Sequence, residues 1–347
     1  MCKAGKSESS QYLFKREENI VSQVGLVAIG RNEGKRLRQC LTSAVAQTSH
    51  IVYVDSGSTD DSITIAQSLG VDVVSLDLST PFTAARARNA GFKRLLELVP
   101  DIDYVQFVDG DCELVQDWIN QAVNILDNQL DMAVVCGRRR ERYPEQSIYN
   151  TLCDIEWDTP IGESTACGGD ALMRIIAFRQ VNGFNPTLIA GEEPELCVRM
   201  RQHGWKIVRI DAEMTLHDAQ MKKFSQWWKR FQRAGYAYAE GAWLHGRSLE
   251  RHWVKESRSI WIWGLLIPML SLSFMPYSNG LSLLLFSLYP LSTYKIYRCG
   301  RQRGFKRWNS VLYAASCVIG KFPNFQGQIM FYWNHLMGKN KQIIEYR

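Results

Sequence analysis

The chain has 347 residues, of which 46% are hydrophobic, and its formal net charge is +6. This length allows one large domain with an appendage or two domains, and so modest a charge is no sign of nucleic-acid binding. The nine cysteines are scattered and form no Cys-x-x-Cys pair, which argues against a disulfide framework or a zinc cluster. Residues 1–20 are polar and charged, so we expect a flexible lead-in and no cleavable signal peptide.

Short apolar segments alternate with segments of helical periodicity between residues 23 and 136. The predicted strands cover 23–29, 51–55, 71–76, 104–108 and 132–136. Strands that alternate with helices indicate an α/β fold whose mostly parallel sheet has helices on both faces. Such a sheet binds its ligands beyond the carboxyl ends of the strands. Polar residues that follow these strands are therefore candidate site residues.

Two carboxylates separated by one glycine, Asp109-Gly110-Asp111, end the fourth strand. Because residues two apart in an extended chain point the same way, we expect both side chains to face one hard cation. Mg²⁺ and Mn²⁺ take a few carboxylates and leave other positions to the phosphates of a substrate. The alternative is an ordinary turn, in which Asp and Gly are common.

Glu33 and Asp55 follow the first and second strands, so three segments place acids at the same edge. Asp55 can accept hydrogen bonds from a ribose hydroxyl or a base N–H, and the alternative is an Asx-turn or a helix cap. Arg86 and Arg88 lie near the start of a helix predicted over 83–98, where an arginine could meet a diphosphate. The alternative for each arginine is an ordinary solvated charge.

Two glutamates, Glu192 and Glu193, open a predicted helix. Acids at that position stabilise a helix without any chemistry, and the alternative is that one of them is a general base. His217 comes directly after a strand predicted over 205–216. A neutral imidazole there can join two carboxylates on Mn²⁺.

Two uncharged apolar runs lie at 260–275 and 280–294, with basic residues before and after the pair. Each run is near the minimum length for spanning a bilayer, about 17–20 residues, so we predict a transmembrane hairpin over 257–298 with both ends in the cytoplasm. The alternative is a re-entrant or buried hydrophobic hairpin. An aromatic and basic segment at 223–256 predicts an amphipathic helix at the membrane interface, or else a helix packed on the preceding domain. A basic-aromatic tail follows at 299–347.

Taken together, these motifs resemble those of the family 2 glycosyltransferases of the GT-A fold. The resemblance covers residues 23 to about 220, within a domain that we place at 21–222. It rests on Arg31-Asn32-Glu33, the segment 54–60, Asp109-Gly110-Asp111, Gly168-Gly169-Asp170 and Gly191-Glu192-Glu193. It implies a hexosyltransferase-type enzyme that transfers a sugar, with inversion, from a nucleotide sugar to an acceptor hydroxyl and that needs Mn²⁺ or Mg²⁺.

The resemblance also implies roles for single residues. It implies nucleotide-sugar binding by Glu33, Asp55, Arg86, Arg88 and Asp109, acceptor binding by Gly169 and Asp170, and metal binding by Asp109, Asp111 and His217. Glu193 would take the proton from the acceptor hydroxyl. Many members have aspartate at the Glu193 position, so the choice between Glu192 and Glu193 as catalytic base stays open.

The expected partners are a nucleotide-sugar donor, a lipid-linked, glycan or small-molecule acceptor, and membrane lipids, with no nucleic acid. The catalytic domain is expected on the cytoplasmic side of an inner or plasma membrane. A nucleotidyltransferase is an alternative, although Ile29-Gly30-Arg31-Asn32 is poor in the glycines and cations of a phosphate loop. A membrane-tethered binding protein without catalysis is another, although the sequence keeps every carboxylate that the metal and the base require.

Overall fold

The computed structural model describes residues 22–338 and 344–345, so the predicted lead-in at 1–20 lies outside the described residues. Strands and helices alternate between residues 24 and 141, as the sequence predicts. These elements are β1 (Val24–Gly30), α1 (Lys35–Val45), β2 (His50–Asp55), α2 (Ser62–Ser68), β3 (Asp72–Ser75), α3 (Ala84–Leu98), β4 (Tyr104–Asp109), β5 (Cys112–Leu114), α4 (Trp118–Asn128) and β6 (Met132–Glu141).

The next part of the chain completes the sheet and then becomes helical. A 3-10 turn (Pro144–Gln146) leads to α5 (Ile148–Glu156), β7 (Gly162–Glu163), β8 (Ala171–Arg174), α6 (Ile175–Gln180), α7 (Glu192–Gln202) and β9 (Lys206–His217). The helical part comprises α8 (Phe224–His245), α9 (Val254–Trp261), a π-helical turn (Ile262–Leu266), α10 (Ile267–Ser273), a 3-10 helix (Leu281–Ser287), α11 (Leu288–Gln302), α12 (Arg307–Ile319) and α13 (Lys321–Leu336).

The strands form one mixed sheet in the order β3-β2-β1-β4-β8-β6-β9-β5, with β7 paired to β9. The strands β3, β2, β1 and β4 pair with one another in parallel, as predicted. β8, however, lies antiparallel between β4 and β6, so the sheet is not mostly parallel. The direction of a strand as short as β8 depends on partners that are distant in the sequence, so no local sequence pattern predicts it.

The core lies on both faces of this sheet and brings α3 unusually near to it. The central residues of β1 at 26–28 are fully buried, as are Leu37 and Leu41 of α1 and Leu95 of α3. A side chain on Gly91 of α3 would place its Cβ 2.3 Å from Val27 Cγ1 of β1. The missing side chain lets α3 lie against the sheet, and the first turn of α3 reaches the carboxyl ends of the strands.

Helix α8 packs on α13 and on the α/β domain. Trp227 is buried with Leu152 and Met221, and Tyr236 is buried against Phe331 of α13. A Cβ on Gly327 of α13 would lie 1.9 Å from the Gln232 carbonyl oxygen of α8, so the two backbones touch. Of the two alternatives for 223–256, the structure shows a helix packed on the preceding domain.

In the described part of the chain, no helix combines the length and the apolar character needed to cross a membrane. The transmembrane hairpin predicted over 257–298 is therefore not supported. The apolar run at 260–275 contains a π-helical turn, and its last helix, α10, ends at Ser273. The run at 280–294 begins as a short 3-10 helix before α11. Counting apolar residues could not detect these changes of helix type.

Candidate active site

A cleft of about 340 Å³ opens at the carboxyl ends of β1 and β4. Its walls come from the β1–α1 turn, the start of α3, the end of β4, the start of α7 and helix α8. The cleft thus lies where the sequence predicts a ligand, beside the strand ends of the parallel half of the sheet. Its polar lining includes Glu33, Arg88, Asp109, Asp111 and Glu192.

Two arginines hold Asp109. Arg88 donates to Asp109 Oδ1 at 2.7 Å, and Arg139 donates to Asp109 Oδ2 at 2.8 Å. Burial would raise the pKa of Asp109, but the two guanidinium groups outweigh it and lower that pKa below its ordinary value. Asp109 is therefore a fixed anion at neutral pH.

Asp111 points elsewhere, towards His217. Asp111 Oδ2 lies 3.3 Å from His217 Nε2, and His217 Nδ1 lies 3.2 Å from Glu141 Oε2. Asp109 and Asp111 thus have different partners, because β4 ends at Asp109 and the chain turns at Gly110 before β5 begins; that both bind one cation stays a prediction. Of the three predicted metal ligands, the structure brings Asp111 and His217 together.

The chemistry of this pair suits a divalent metal. A carboxylate and an imidazole are ligands of Mn²⁺, and a carboxylate behind the imidazole keeps the metal-facing nitrogen unprotonated. Glu141 has that position, because it is 1% exposed and faces Nδ1. The thiol of Cys112 lies in the same cluster, and burial raises its pKa well above the ordinary value; Mg²⁺ and Mn²⁺ prefer oxygen ligands to thiolates.

Asp170 and Gly169, both predicted to contact the acceptor, lie against the arginine-held carboxylate. Asp170 is fully buried, accepts from the Asp109 N–H at 3.0 Å and lies 3.1 Å from Arg139 Nε, so its carboxylate positions Asp109 and does not face a substrate. A Cβ on Gly169 would lie 2.9 Å from both Arg88 Nη2 and Asp109 Oδ2. Gly169 is partly exposed, and its contact with the acceptor stays a prediction.

Two of the predicted nucleotide ligands shape loops. Asp55 is 2% exposed, and its carboxylate accepts from Tyr53 Oη and from the N–H groups of Gly57 and Ser58, which is the Asx-turn alternative. Arg86 donates to the carbonyl oxygens of Asp77, Thr80 and Pro81. Neither side chain lies among those that line the cleft.

Glu33, by contrast, lies on the cleft wall. It pairs with Arg36 at 2.7 Å, and Arg36 also donates to the Asp218 carbonyl oxygen next to His217. At the mouth of the cleft, the Arg31 guanidinium lies 4.4 Å above the ring of Phe82 and pairs with Glu345. The cleft therefore has one aromatic and cationic end and one end built from Asp109, Asp111 and Glu192.

The two glutamates at the start of α7 occupy different surroundings. Glu192 lines the cleft and accepts from Arg88 Nη1 at 2.8 Å. Glu193 is 7% exposed, accepts from the Cys167 N–H and lies 3.3 Å from Cys197 Sγ. The structure thus places Glu192 on the cleft wall and leaves Glu193 buried next to it.

Sequence reasoning missed three residues of the site. Arg139 and Glu141 lie in the basic run that ends β6, and Arg233 of α8 lines the cleft. Alternation along β6 puts Arg139 on the side of Asp109, and Glu141 is the one acid among the arginines at 138–142. The single acid in this basic run was the sequence feature that could have identified Glu141 as a site residue. No local sequence feature identifies Arg233 as one.

Part of the chain resembles known glycosyltransferases. Residues 27–167 match the family model described as Glycosyl transferase family 2. The O-antigen chain rhamnosyltransferase WbaN of Salmonella anatum is 24% identical over 212 residues, which cover 57% of this chain and 65% of that protein. The succinoglycan biosynthesis protein ExoA of Rhizobium meliloti is 26% identical over 208 residues, which cover 57% of this chain and 61% of that protein. The matched regions thus span less than two thirds of both relatives.

A solved structure shows the same fold over nearly the whole chain. It is the mannosyltransferase PcManGT from Pyrobaculum calidifontis in complex with GDP-Man and Mn²⁺, with a TM-score of 0.61 and 13% identity. The superposition covers 94% of this chain and 93% of that one. The prediction of a family 2 glycosyltransferase is supported in part: residues 27–167 match the Glycosyl transferase family 2 model, and the chain has an α/β fold of the GT-A type.

Proposed function

We propose that this protein transfers a hexosyl group, with inversion and in the presence of a divalent metal, from a nucleoside-diphosphate sugar to an acceptor hydroxyl. One observation carries the proposal. Three carboxylates line a single cleft: Asp109, which is paired with arginine, Asp111 and Glu192. Asp111 lies beside His217, and the two side chains are suitable ligands for a divalent metal. The family match and the fold support the same reaction class.

Asp111 and His217 would hold the metal, with Glu141 orienting the imidazole. Mn²⁺ or Mg²⁺ at this position supplies positive charge to the diphosphate leaving group. Arg88 and Arg139 already neutralise Asp109, so the donor phosphates meet little repulsion from that carboxylate. Arg233 also lines the cleft, and we propose that its guanidinium contacts a phosphate oxygen.

Glu192 is the proposed catalytic base. Its ion pair with Arg88 orients the carboxylate towards the cleft. A base that deprotonates the acceptor hydroxyl lets the oxygen attack the anomeric carbon from the side opposite the leaving diphosphate. The C–O bond forms as the bond to the diphosphate breaks, and one such displacement inverts the anomeric configuration.

The nucleoside is proposed to lie at the aromatic and cationic end of the cleft, near Glu33, Arg31 and Phe82. The acceptor is proposed to enter from the side of α8. A second cavity of about 230 Å³ lies there, lined by Gly191, Arg230, Arg233, Tyr238 and Trp253. Because Arg233 lines both spaces, an acceptor held in this cavity would be adjacent to the donor phosphates.

The acceptor class and the location of the protein are proposed from the relatives. Their names concern the O-antigen chain and succinoglycan, both polysaccharides. We infer that this chain extends a lipid-linked or polysaccharide acceptor at the cytoplasmic face of a membrane. The exposed apolar segment described below supports the membrane location.

The test is release of nucleoside diphosphate from a panel of nucleotide sugars by the full chain, with a membrane extract as acceptor and with or without Mn²⁺. We expect release from one donor, abolished by chelator and reduced at least a hundredfold by Asp111→Asn. Asp101→Asn changes an exposed aspartate far from the cleft and serves as the matched control. No release from any donor, or full activity of Asp111→Asn, would contradict the proposal.

A further inference from the structure

The segment 259–294 exposes apolar side chains to solvent although it contains no charged residue. Leu272, Tyr277, Leu281, Leu284 and Leu291 are 59–85% exposed. We call this segment the apolar tip. Contiguous apolar surfaces on this scale mark contact with a membrane or with another protein.

The apolar tip is an ordered unit. Tyr289 donates its hydroxyl to the Trp263 carbonyl oxygen at 2.5 Å, and the two rings pack edge to face at 5.5 Å. Ser282 donates to the Ser271 carbonyl oxygen at 2.7 Å. These contacts join the arm that ends in α10 to the arm that begins at Leu281, so the exposed leucines lie on one preorganised surface.

A strongly basic stretch borders the apolar tip. Between 295 and 307 the chain carries six exposed cations: Lys295, Arg298, Arg301, Arg303, Lys306 and Arg307. No Asp or Glu occurs anywhere from 257 to 338. Arg303 contacts the Asp158 carbonyl oxygen of the α/β domain. An uncharged apolar surface beside a run of exposed cations is complementary to a bilayer with anionic headgroups.

We propose that the apolar tip inserts into one leaflet of an anionic membrane, with the cations of 295–307 at the level of the headgroups. Protein interfaces normally carry many hydrogen bonds and a polar rim of both charge signs, and this surface offers neither. The inference deepens the proposed function, because it names the surface that holds the enzyme at a membrane-borne acceptor, but the docking itself does not rest on the proposed activity.

The apolar tip is continuous with the catalytic cleft through packed helices. Gly264 of the tip lies against Lys321 and Phe325 at the start of α13, where a Cβ would be 2.7 Å from Phe325 Cβ. Helix α13 in turn touches α8 at Gly327, and α8 carries Arg233 to the cleft. A docked tip would therefore hold the acceptor side of the cleft near the membrane surface.

Vesicle flotation of the full chain tests the proposal. We expect the wild type to float with vesicles of phosphatidylcholine and phosphatidylglycerol, and to lose at least tenfold in apparent affinity in the double variant Leu281→Asp, Leu284→Asp. The matched control is Leu130→Asp with Ile176→Asp, which changes two aliphatic residues of the α/β domain that are 62% and 60% exposed. Equal loss in tip and control variants would overturn the proposal.

Charge and depth are tested separately. Lys295→Gln with Arg298→Gln should weaken binding to the anionic vesicles severalfold and leave the weak binding to pure phosphatidylcholine unchanged. A fluorophore on Asn279→Cys, in a Cys299→Ser background, should be quenched by quenchers on the lipid chains of the facing leaflet. Absence of quenching and of flotation, together with a dimer that the tip variant dissolves, would identify the surface as a protein interface and overturn the proposal.

The outcome is separable from that of the proposed function. Nucleoside diphosphate release from a nucleotide sugar in solution does not need the apolar tip, so the tip variants should retain it. Retained turnover without vesicle binding would refute only the docking. Vesicle binding without turnover on any donor would refute only the transferase.

Discussion

Replacing Glu192 by glutamine tests which glutamate acts as the base. The Glu192 side chain is 12% exposed on the cleft wall and lies 2.8 Å from Arg88 Nη1. Glutamine preserves the shape and the acceptor oxygen but cannot take up the proton. Loss of a positioned general base lowers a rate by about 10²–10⁴-fold, or about 3–5 kcal/mol in activation free energy. We expect Glu192→Gln to lower kcat by that factor.

Glu193→Gln is the matched control one residue away. Its amide oxygen can still accept from the Cys167 N–H, so the buried donor stays satisfied. The Cys197 thiol donates to the same oxygen, Oε1, at 3.3 Å, so the amide oxygen can serve both donors and the free energy of unfolding should fall by less than about 1 kcal/mol. We expect kcat to change by less than about tenfold, because Glu193 does not line the cleft.

The assay compares three quantities in both variants: kcat from nucleoside diphosphate release, donor affinity from calorimetry, and unfolding in denaturant. We expect unchanged donor affinity within about threefold, because Glu192→Gln keeps an oxygen that accepts from Arg88 and Glu193 does not line the cleft. If Glu193→Gln lost more kcat than Glu192→Gln while folded as well as the wild type, the assignment of the base to Glu192 would be refuted.

Three further predictions concern metal binding, pH and packing. Glu141→Gln should weaken Mn²⁺ binding about 10- to 100-fold, because His217 loses the carboxylate 3.2 Å from its Nδ1; unchanged affinity in calorimetry would contradict the metal site. Burial is the main cause that lowers the pKa of His252 from 6.5 to about 4; His245 and Arg201 contribute to the decrease, whereas the carboxylates of Glu250 and Glu195 oppose it. As the pH falls, His252 of the unfolded chain is protonated before His252 of the folded chain, so acid favours unfolding. The stability present above pH 6.5 should therefore be lost as the pH falls towards 4, by about 1–2 kcal/mol after allowance for the partial exposure of the ring. His252→Gln should flatten that part of the stability profile, and an equally steep profile would exclude this histidine as the cause. Gly327→Ala should lower the free energy of unfolding by about 1–3 kcal/mol, because its Cβ would lie 1.9 Å from the Gln232 carbonyl oxygen; an unchanged melting temperature would show that α8 and α13 separate freely.

Much of the fold and part of the site are readable from the residues alone. Buried strands such as β1 and β4 appear as short apolar runs, and the acids after them are placed at one edge because parallel strands share their direction. The motif at 109–111, the glutamates at 192–193 and His217 all reach the cleft or its immediate surroundings. These features are local or follow from the period of a strand, so one sequence suffices to predict them.

The roles of individual side chains depended on contacts between distant segments. Arg88 of α3 pairs with Asp109 of β4 and with Glu192 of α7. These ion pairs fix the positions of both carboxylates on the cleft wall. Asp55 and Asp170 matched a motif as well as Asp111 did, yet their carboxylates are occupied by a turn and by Arg139. A motif places a residue near a site, whereas the hydrogen-bond donors that surround it decide what it does.

The sequence by itself determined the alternation of strands and helices, the acidic edge and the lack of charge in the apolar tip. Only the tertiary structure decided the direction of β8, the choice of Glu192 over Glu193 for the cleft wall, and the exposure of the tip on short helices. The physical reason is one of range. Periodicity and composition act over a few residues, but strand direction, ion pairing and helix type are set by partners that the chain brings together only when it folds.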